Sequence, residues 1–400
     1  MSYLFKSAFA VGIFFASFAF ADEANIKDLQ KQIDVLKQQM QQISPSSSDT
    51  TVGGYGEILY NHFSKETSRS QVDLARAVLF IGHRFSDQLS FQSEIEWEHA
   101  VTSSKDDGES EIEQDYLNYQ VNKAVNVKAG LFLMPFGFLN TAHEPPVFYG
   151  VERNEVETRI IPSTWREGGV GVYGTTDTGW NWDAGITTGF YLAKTSETES
   201  PLHGMHQELQ NAKAHDAAIY GAINYIGLSG LTLGGALFTG DSSQGNAEFV
   251  ADPSTPDFGN VRGRVTLWDA HARWRANGLD VQALYAKGTI GDAQKIDQTL
   301  TAFPARALVP EEFFGWLTQV AYTFWQAHEM SVSPFVRYEQ FNTQSKMPDG
   351  FAAKSENADR VWTVGLSFKP HSQVVVKTDY QKYTDNALSD RFNIGLGYMF

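Results

Sequence analysis

The chain closes on Arg391-Phe-Asn-Ile-Gly-Leu-Gly-Tyr-Met-Phe400, in which Phe392, Ile394, Leu396, Tyr398 and Phe400 alternate with Arg391, Asn393, Gly395 and Gly397. Successive side chains of a strand point to opposite faces, so this stretch has one apolar face and one polar face. The same period recurs upstream. Leu89, Phe91, Ile95 and Trp97 alternate with Gln92, Glu94, Glu96 and Glu98, and Trp180, Trp182, Ala184 and Ile186 with Asn181, Asp183 and Thr187. Trp268, Ala270, Ala272 and Trp274 alternate with Asp269, His271, Arg273 and Arg275, and Val332, Val336 and Tyr338 with Ser333, Arg337 and Glu339. A soluble sandwich would bury its apolar face and also alternate. Trp and Tyr near the strand ends favour a membrane wall instead, because both residues prefer the membrane interfaces. With no apolar run long enough for a helical span, the crossing must be made by strands.

Counting such segments gives about sixteen strands, joined alternately by short and long connections, as a transmembrane antiparallel β-barrel requires. Short turns fall at 85–87, 122–124, 227–230, 276–278 and 370–371, and long loops near 100–110, 134–167, 191–213, 241–263, 290–311 and 343–358. The facing of the fourth and twelfth strands is ambiguous; Asp115, for instance, shares parity with Leu117 and Tyr119.

Residues 1–21 carry Lys6, an apolar run and Ala19-Phe20-Ala21, the pattern of a secretory signal peptide. Removing them takes away one lysine and no acid, which lowers the formal charge from −16 to −17. So acidic a chain argues against nucleic acid as a partner. Residues 22–43 place Ile26, Leu29, Ile33, Leu36, Met40 and Ile43 on one helical stripe, a coiled-coil seam that needs copies of itself and predicts an oligomer. A periplasmic tail without such pairing is the alternative. Residues 44–50 read as a linker and 51–400 as the barrel. The chain has no cysteine, so neither a disulfide scaffold nor thiol chemistry is expected.

Gly130-Leu-Phe-Leu-Met-Pro-Phe-Gly137, His143-Glu-Pro-Pro146, Tyr149-Gly-Val-Glu-Arg-Asn154 and Pro162-Ser-Thr-Trp-Arg-Glu-Gly168 resemble the phosphate-selective porin O and P family. Gly53-Gly-Tyr-Gly-Glu57 and Val375-Val-Lys-Thr-Asp-Tyr380 add to the likeness, and the terminal strand ending on Phe400 resembles the signal read by the outer-membrane barrel insertion machinery. The resemblance implies a sixteen-stranded homotrimeric channel in the outer membrane of a Gram-negative-type cell, in contact with lipopolysaccharide and with no cofactor. The basic ladders that phosphate-selective members carry inside have no match in this acidic chain.

So wide a barrel holds water, and its selectivity lies in the lining charges and in any inward-folding loop. Parity assigns Glu94, Glu96 and Glu98 to the lumen on the third strand, and Asp269, His271, Arg273, Arg275, Arg337 and Lys377 on the tenth, thirteenth and fifteenth. The two groups would face each other in a transverse field, unless each charge pairs with a strand neighbour. The segment 134–167, with Glu144, Arg153, Glu155, Arg159 and Arg166, is the candidate constriction loop, an extracellular loop being the other reading. The acidic run Asp106–Asp115 reads as a solvated loop or a divalent-cation site, and His203 with His206 lacks further zinc ligands, so no metal site is assigned. No G-x-S-x-G or H-E-x-x-H motif is present. The expected function is passive diffusion of small hydrophilic solutes or ions with mild cation preference; the alternatives are a phosphate or anion channel and, in another class, an outer-membrane enzyme or anchor.

Overall fold

The computed structural model describes residues 49–400. The expected signal peptide, coiled-coil helix and most of the linker lie outside the described residues. The strands are β1 (Thr50–Phe63), β2 (Gln71–Arg84), β3 (Leu89–Glu98), β4 (Ser110–Asn122), β5 (Val125–Leu133), β6 (Arg166–Thr175), β7 (Trp180–Thr187) and β8 (Ala218–Tyr225). They continue with β9 (Leu231–Gly240), β10 (Val265–Ala276), β11 (Leu279–Ile290), β12 (Glu312–Tyr322), β13 (Met330–Lys346), β14 (Ala358–His371), β15 (Val374–Tyr383) and β16 (Arg391–Met399). A three-residue strand, Trp325–Ala327, extends the edge of β12 along β13. Each strand pairs antiparallel with its sequence neighbours, and β16 pairs with β1 from Tyr55 opposite Met399 to Phe63 opposite Arg391. Phe400 completes the seam, its N–H donating to Gly54 at 2.9 Å and its carbonyl accepting from Gly54 at 3.0 Å. The result is a closed sixteen-stranded barrel with no free edge.

The outward face is the apolar one read from the sequence: Phe392, Ile394, Leu396 and Tyr398 are all exposed. Aromatic rows run across neighbouring strands, with Tyr338 between Trp316 and Trp362 at 5.3 and 4.7 Å. Leu396→Arg places a charge in hydrocarbon and is expected to cost about 2–4 kcal/mol. Denaturant unfolding in liposomes measures this.

The two strands of ambiguous facing have separate explanations. In β4 the register with β3 shifts between Glu94 opposite Gln114 and Ile95 opposite Ile112, a bulge that leaves Glu113 unpaired. Glu113 and Gln114 therefore both turn inward, while Asp115, Leu117 and Tyr119 stay outside. In β12 both faces are apolar because Phe313 and Leu317 point into the barrel against packed loops.

That interior packing differs from a lumen filled only with water. Phe136, Ile160, Ile161 and Trp165 join Phe190, Leu202, Met205, Phe238, Leu267, Ile296 and Phe313 in one buried cluster. Burying apolar loop faces against one another offsets the entropy of ordering loops this long. The helix Ala293–Leu300 contributes Ile296 and Leu300 and also buries Asp297. One Asp297 oxygen accepts from the Val309 N–H at 2.8 Å and the other has no protein partner. Burial pushes this carboxyl up to about 7 against the backbone hydrogen bond. A folded pKa above the unfolded one means that its contribution is complete below the ordinary aspartate range and fades as pH rises through about 7. Hydrogen-exchange protection across 293–309 should therefore fall as pH rises from about 4 to about 7, after correction for intrinsic exchange, and level off above that. Asp297→Asn should abolish that dependence.

Candidate constriction of the lumen

The segment between β5 and β6, residues 134–165, folds inside the barrel and is here called loop 3. Its two stems are tied by Asn140. The side-chain amide donates to the carbonyls of Met134 (2.7 Å) and Trp165 (2.8 Å), and the side-chain oxygen accepts from the Trp165 N–H (2.7 Å). A second knot is Glu157, whose carboxylate accepts from the N–H groups of Phe138 (2.5 Å) and Leu139 (2.8 Å) and from Asn154 Nδ2 (2.6 Å). Burial raises the Glu157 pKa against these hydrogen bonds.

Loop 3 touches the wall on several sides. Gly137 N–H meets Asp269 of β10 (3.3 Å), the ring of Phe138 lies 4.9 Å from that of His271, and Tyr149 donates to Asp280 of β11 (3.1 Å). Gly315 of β12 leaves room for Ile160, whose side chain would stand 2.9 Å from any Cβ added there. On β13 and β15, Glu155 N–H donates to Glu339 (2.7 Å), Lys377 donates to the Gly150 carbonyl (2.8 Å) and Val151 N–H donates to Asp379 (2.6 Å). Asn61 of β1 donates to Glu152 (2.7 Å).

These contacts place the residues expected at the pore. Glu94, Glu96, Asp269, His271, Arg337 and Lys377 face inward but are buried, much of their cover being loop 3. Glu98 and Arg273 are half-buried, and Arg275 is exposed toward the short-turn rim. The charges pair locally instead of forming two opposed walls. Arg337 meets Glu339 at 2.7 Å, and Arg273 and Arg275 share Asp280 at 2.7 and 3.2 Å. Of the loop candidates, Arg166 lies at the start of β6 and bridges Glu111 (2.6 Å) and Glu208 (3.1 Å), and Glu144 is half-buried. Glu155 and Arg159 pair at 2.5 Å, and Tyr383 and Arg391 close on the same carboxylate. Burial works against the Glu155 charge, yet Arg159 and Arg391 hold its carboxyl below the usual range.

Between loop 3 and the wall of β1, β2 and β16 lies a cavity of about 160 Å³ lined by Glu57, Arg76, Glu152, Arg153, Glu155 and Arg391 with Val151, Thr158 and Ser163. Arg153 is held from one side only, donating to Ser163 (2.6 Å) and Thr164 (2.7 Å), while Nε and Nη2 have no protein partner. Burial and the nearby Arg76 lower its pKa. Glu57, Arg76 and Arg391 were not among the expected lining residues. Only Arg391 carried a clear strand signal, sharing the parity of Asn393, Gly395 and Gly397; Arg76 shares its parity with Leu74, Val78 and Phe80 and Glu57 with Tyr55 and Leu59, and a register shift between Leu74 and Arg76 turns Arg76 inward.

Residues 54–210, a span that includes all of loop 3, match the family described as phosphate-selective porin O and P. An uncharacterized protein of Aquifex aeolicus (strain VF5) is 31% identical over 360 residues, which cover 88% of this chain and 80% of that protein. Among solved structures, Salmonella typhi OmpF in complex with daunomycin shares the fold at a TM-score of 0.58 and 11% identity, covering 90% of this chain and 99% of that one. The outer membrane channel DcaP of Acinetobacter baumannii (TM-score 0.53, 12% identity, 89% and 99% coverage) and an anion-selective porin from Comamonas acidovorans (0.52, 12%, 88% and 100%) share it too. With the family match and the closed barrel in agreement, the chain is a porin that resembles the porin O and P family over residues 54–210 and is an outer-membrane channel for passive diffusion.

Proposed function

We propose that solutes pass between loop 3 and the β1, β2 and β16 wall, and that this opening admits small hydrophilic solutes with little preference for either sign of charge. The observation that carries the reading is the composition of the opening, three arginines (Arg76, Arg153, Arg391) against three glutamates (Glu57, Glu152, Glu155). Facing charges of opposite sign orient water and dipolar solutes and disfavour apolar ones. The net acidity that pointed to cation preference rests partly on Glu94 and Glu96, which are buried away from the opening. Anion preference is the second reading, favoured by the two unpartnered nitrogens of Arg153. The working unit is proposed to be a homotrimer with lipopolysaccharide around its outer rim. Planar-bilayer recordings under a salt gradient test the main reading. Small unitary conductance with a reversal potential near zero is expected, and strong selectivity for either ion contradicts it.

A further inference from the structure

Where loop 3 meets β3 and β4, three buried groups converge with nothing between them to satisfy their lone pairs. His143 Nδ1 stands 3.3 Å from the Asn140 carbonyl, which can only accept, so Nδ1 carries the proton. The lone pair of Nε2 then points at Glu94 Oε1 and Glu113 Oε2, each 3.6 Å away. Glu94 is held by its other oxygen, which accepts from Gln114 Nε2 at 2.6 Å, so that Oε1 is left free. Glu113 is fully buried and neither of its oxygens has a hydrogen-bond partner. The β4 bulge is what turns Glu113 toward this point.

Two buried carboxylates aimed at an imidazole lone pair need a cation. A proton on Nε2 would supply one, but charge-assisted N–H to carboxylate bonds close to about 2.7–2.9 Å. Donors held about 2.0–2.2 Å from a tetrahedral ion stand roughly 3.3–3.6 Å apart, the separation seen here. Arg76 pairs with Glu57 at 2.8 Å and Arg166 with Glu111 at 2.6 Å, while Arg153, held by Ser163 and Thr164, comes within ion-pair distance of neither Glu94 nor Glu113. Glu96 belongs to a neighbouring cluster with Glu111 and Glu113 and lies 3.6 Å from Arg76, so the ion's ligands from the protein are the three groups named. We propose that Glu94, Glu113 and His143 bind one divalent transition-metal ion of the zinc class, which pins loop 3 to the barrel wall. The imidazole nitrogen selects against Ca²⁺ and Mg²⁺, which take oxygen ligands. Asn140 and Gln114 are the outer partners that fix the ligand orientations.

The test uses the full-length folded protein in detergent, stripped with a chelator, desalted and titrated with Zn²⁺ by calorimetry. Uptake of one ion per chain is expected. It should be lost in His143→Gln and Glu113→Gln and weakened about tenfold in Gln114→Ala. Absence of stoichiometric uptake by the wild type overturns the proposal and leaves a shared proton; so does uptake that both ligand variants retain. If those variants do not migrate as folded barrels on unheated gels, X-ray absorption of the Zn²⁺-loaded wild type decides. Imidazole scattering within an oxygen shell supports the site, and its absence refutes it.

Discussion

Trp165→Ala is expected to release loop 3 from the wall and raise single-channel conductance. Trp165 is fully buried, with its ring centroid 4.9 Å from that of Phe136, 5.3 Å from Phe190 and 4.9 Å from Phe238. It therefore joins loop 3 to the 188–217 loop and to β9 at once. Truncating a buried Trp to Ala costs about 3–5 kcal/mol. The sheet does not depend on that contact, because its ladder closes through backbone hydrogen bonds around the whole barrel. The cost should thus appear as local opening and not as loss of the barrel. Hydrogen-exchange protection of 134–165 is expected to fall at least roughly a hundredfold, since each 1.4 kcal/mol is a factor of ten, while the heat-resistant migration of the barrel persists. Trp165→Phe keeps an aromatic ring at this position while losing the 3.1 Å bond to Glu167 and part of the buried ring area, so its loss of protection should be smaller than that of Trp165→Ala. Unchanged conductance and unchanged protection in Trp165→Ala would mean that this contact does not hold loop 3 in the lumen.

The same contacts show which parts of the molecule could be read in advance. Strand number, turn order and the terminal strand were legible because each depends on a local signal, a side-chain period of two broken by turn residues. Glu113 was not legible. A bulge inserts one residue against the partner strand, and β4 carries no Gly or Pro to mark it. The facing of β12, with Phe313 and Leu317, was ambiguous for another reason. Their inward apolar side chains meet loops far away in sequence, and strand patterning reports burial without saying what does the burying. For the opening, the charges were visible but their neighbours were not: Arg337 looked like a free lumen cation until Glu339, two residues on in the same strand, proved to be its partner. Arg153 was a candidate from the start, and it alone among the loop arginines named there has no carboxylate within ion-pair distance among the described residues.

That isolation makes Arg153→Ala the most informative change to selectivity. The opening now sets three guanidinium groups against three carboxylates, and removing one leaves a single excess negative charge. A unit charge acting on an ion about 4 Å away is worth about 1 kcal/mol at the dielectric of water. That energy corresponds to roughly a fivefold change in the occupancy of each ion, in opposite directions, and so to roughly a thirtyfold change in their ratio at room temperature before salt screening. The reversal potential under a salt gradient should shift toward cation preference, and most strongly at low salt, because the Debye length is already near 10 Å at about 0.1 M. Arg153→Lys retains the charge while giving up the paired bonds to Ser163 and Thr164. It should leave the reversal potential near the wild-type value even if conductance changes, which separates charge from shape. Arg84, an exposed arginine paired with Asp49 at the short-turn rim, is the control whose removal should shift neither. If Arg153→Ala and Arg84→Ala moved the reversal potential equally, ions would not be passing beside loop 3, and the permeation route would have to be sought along another part of the wall.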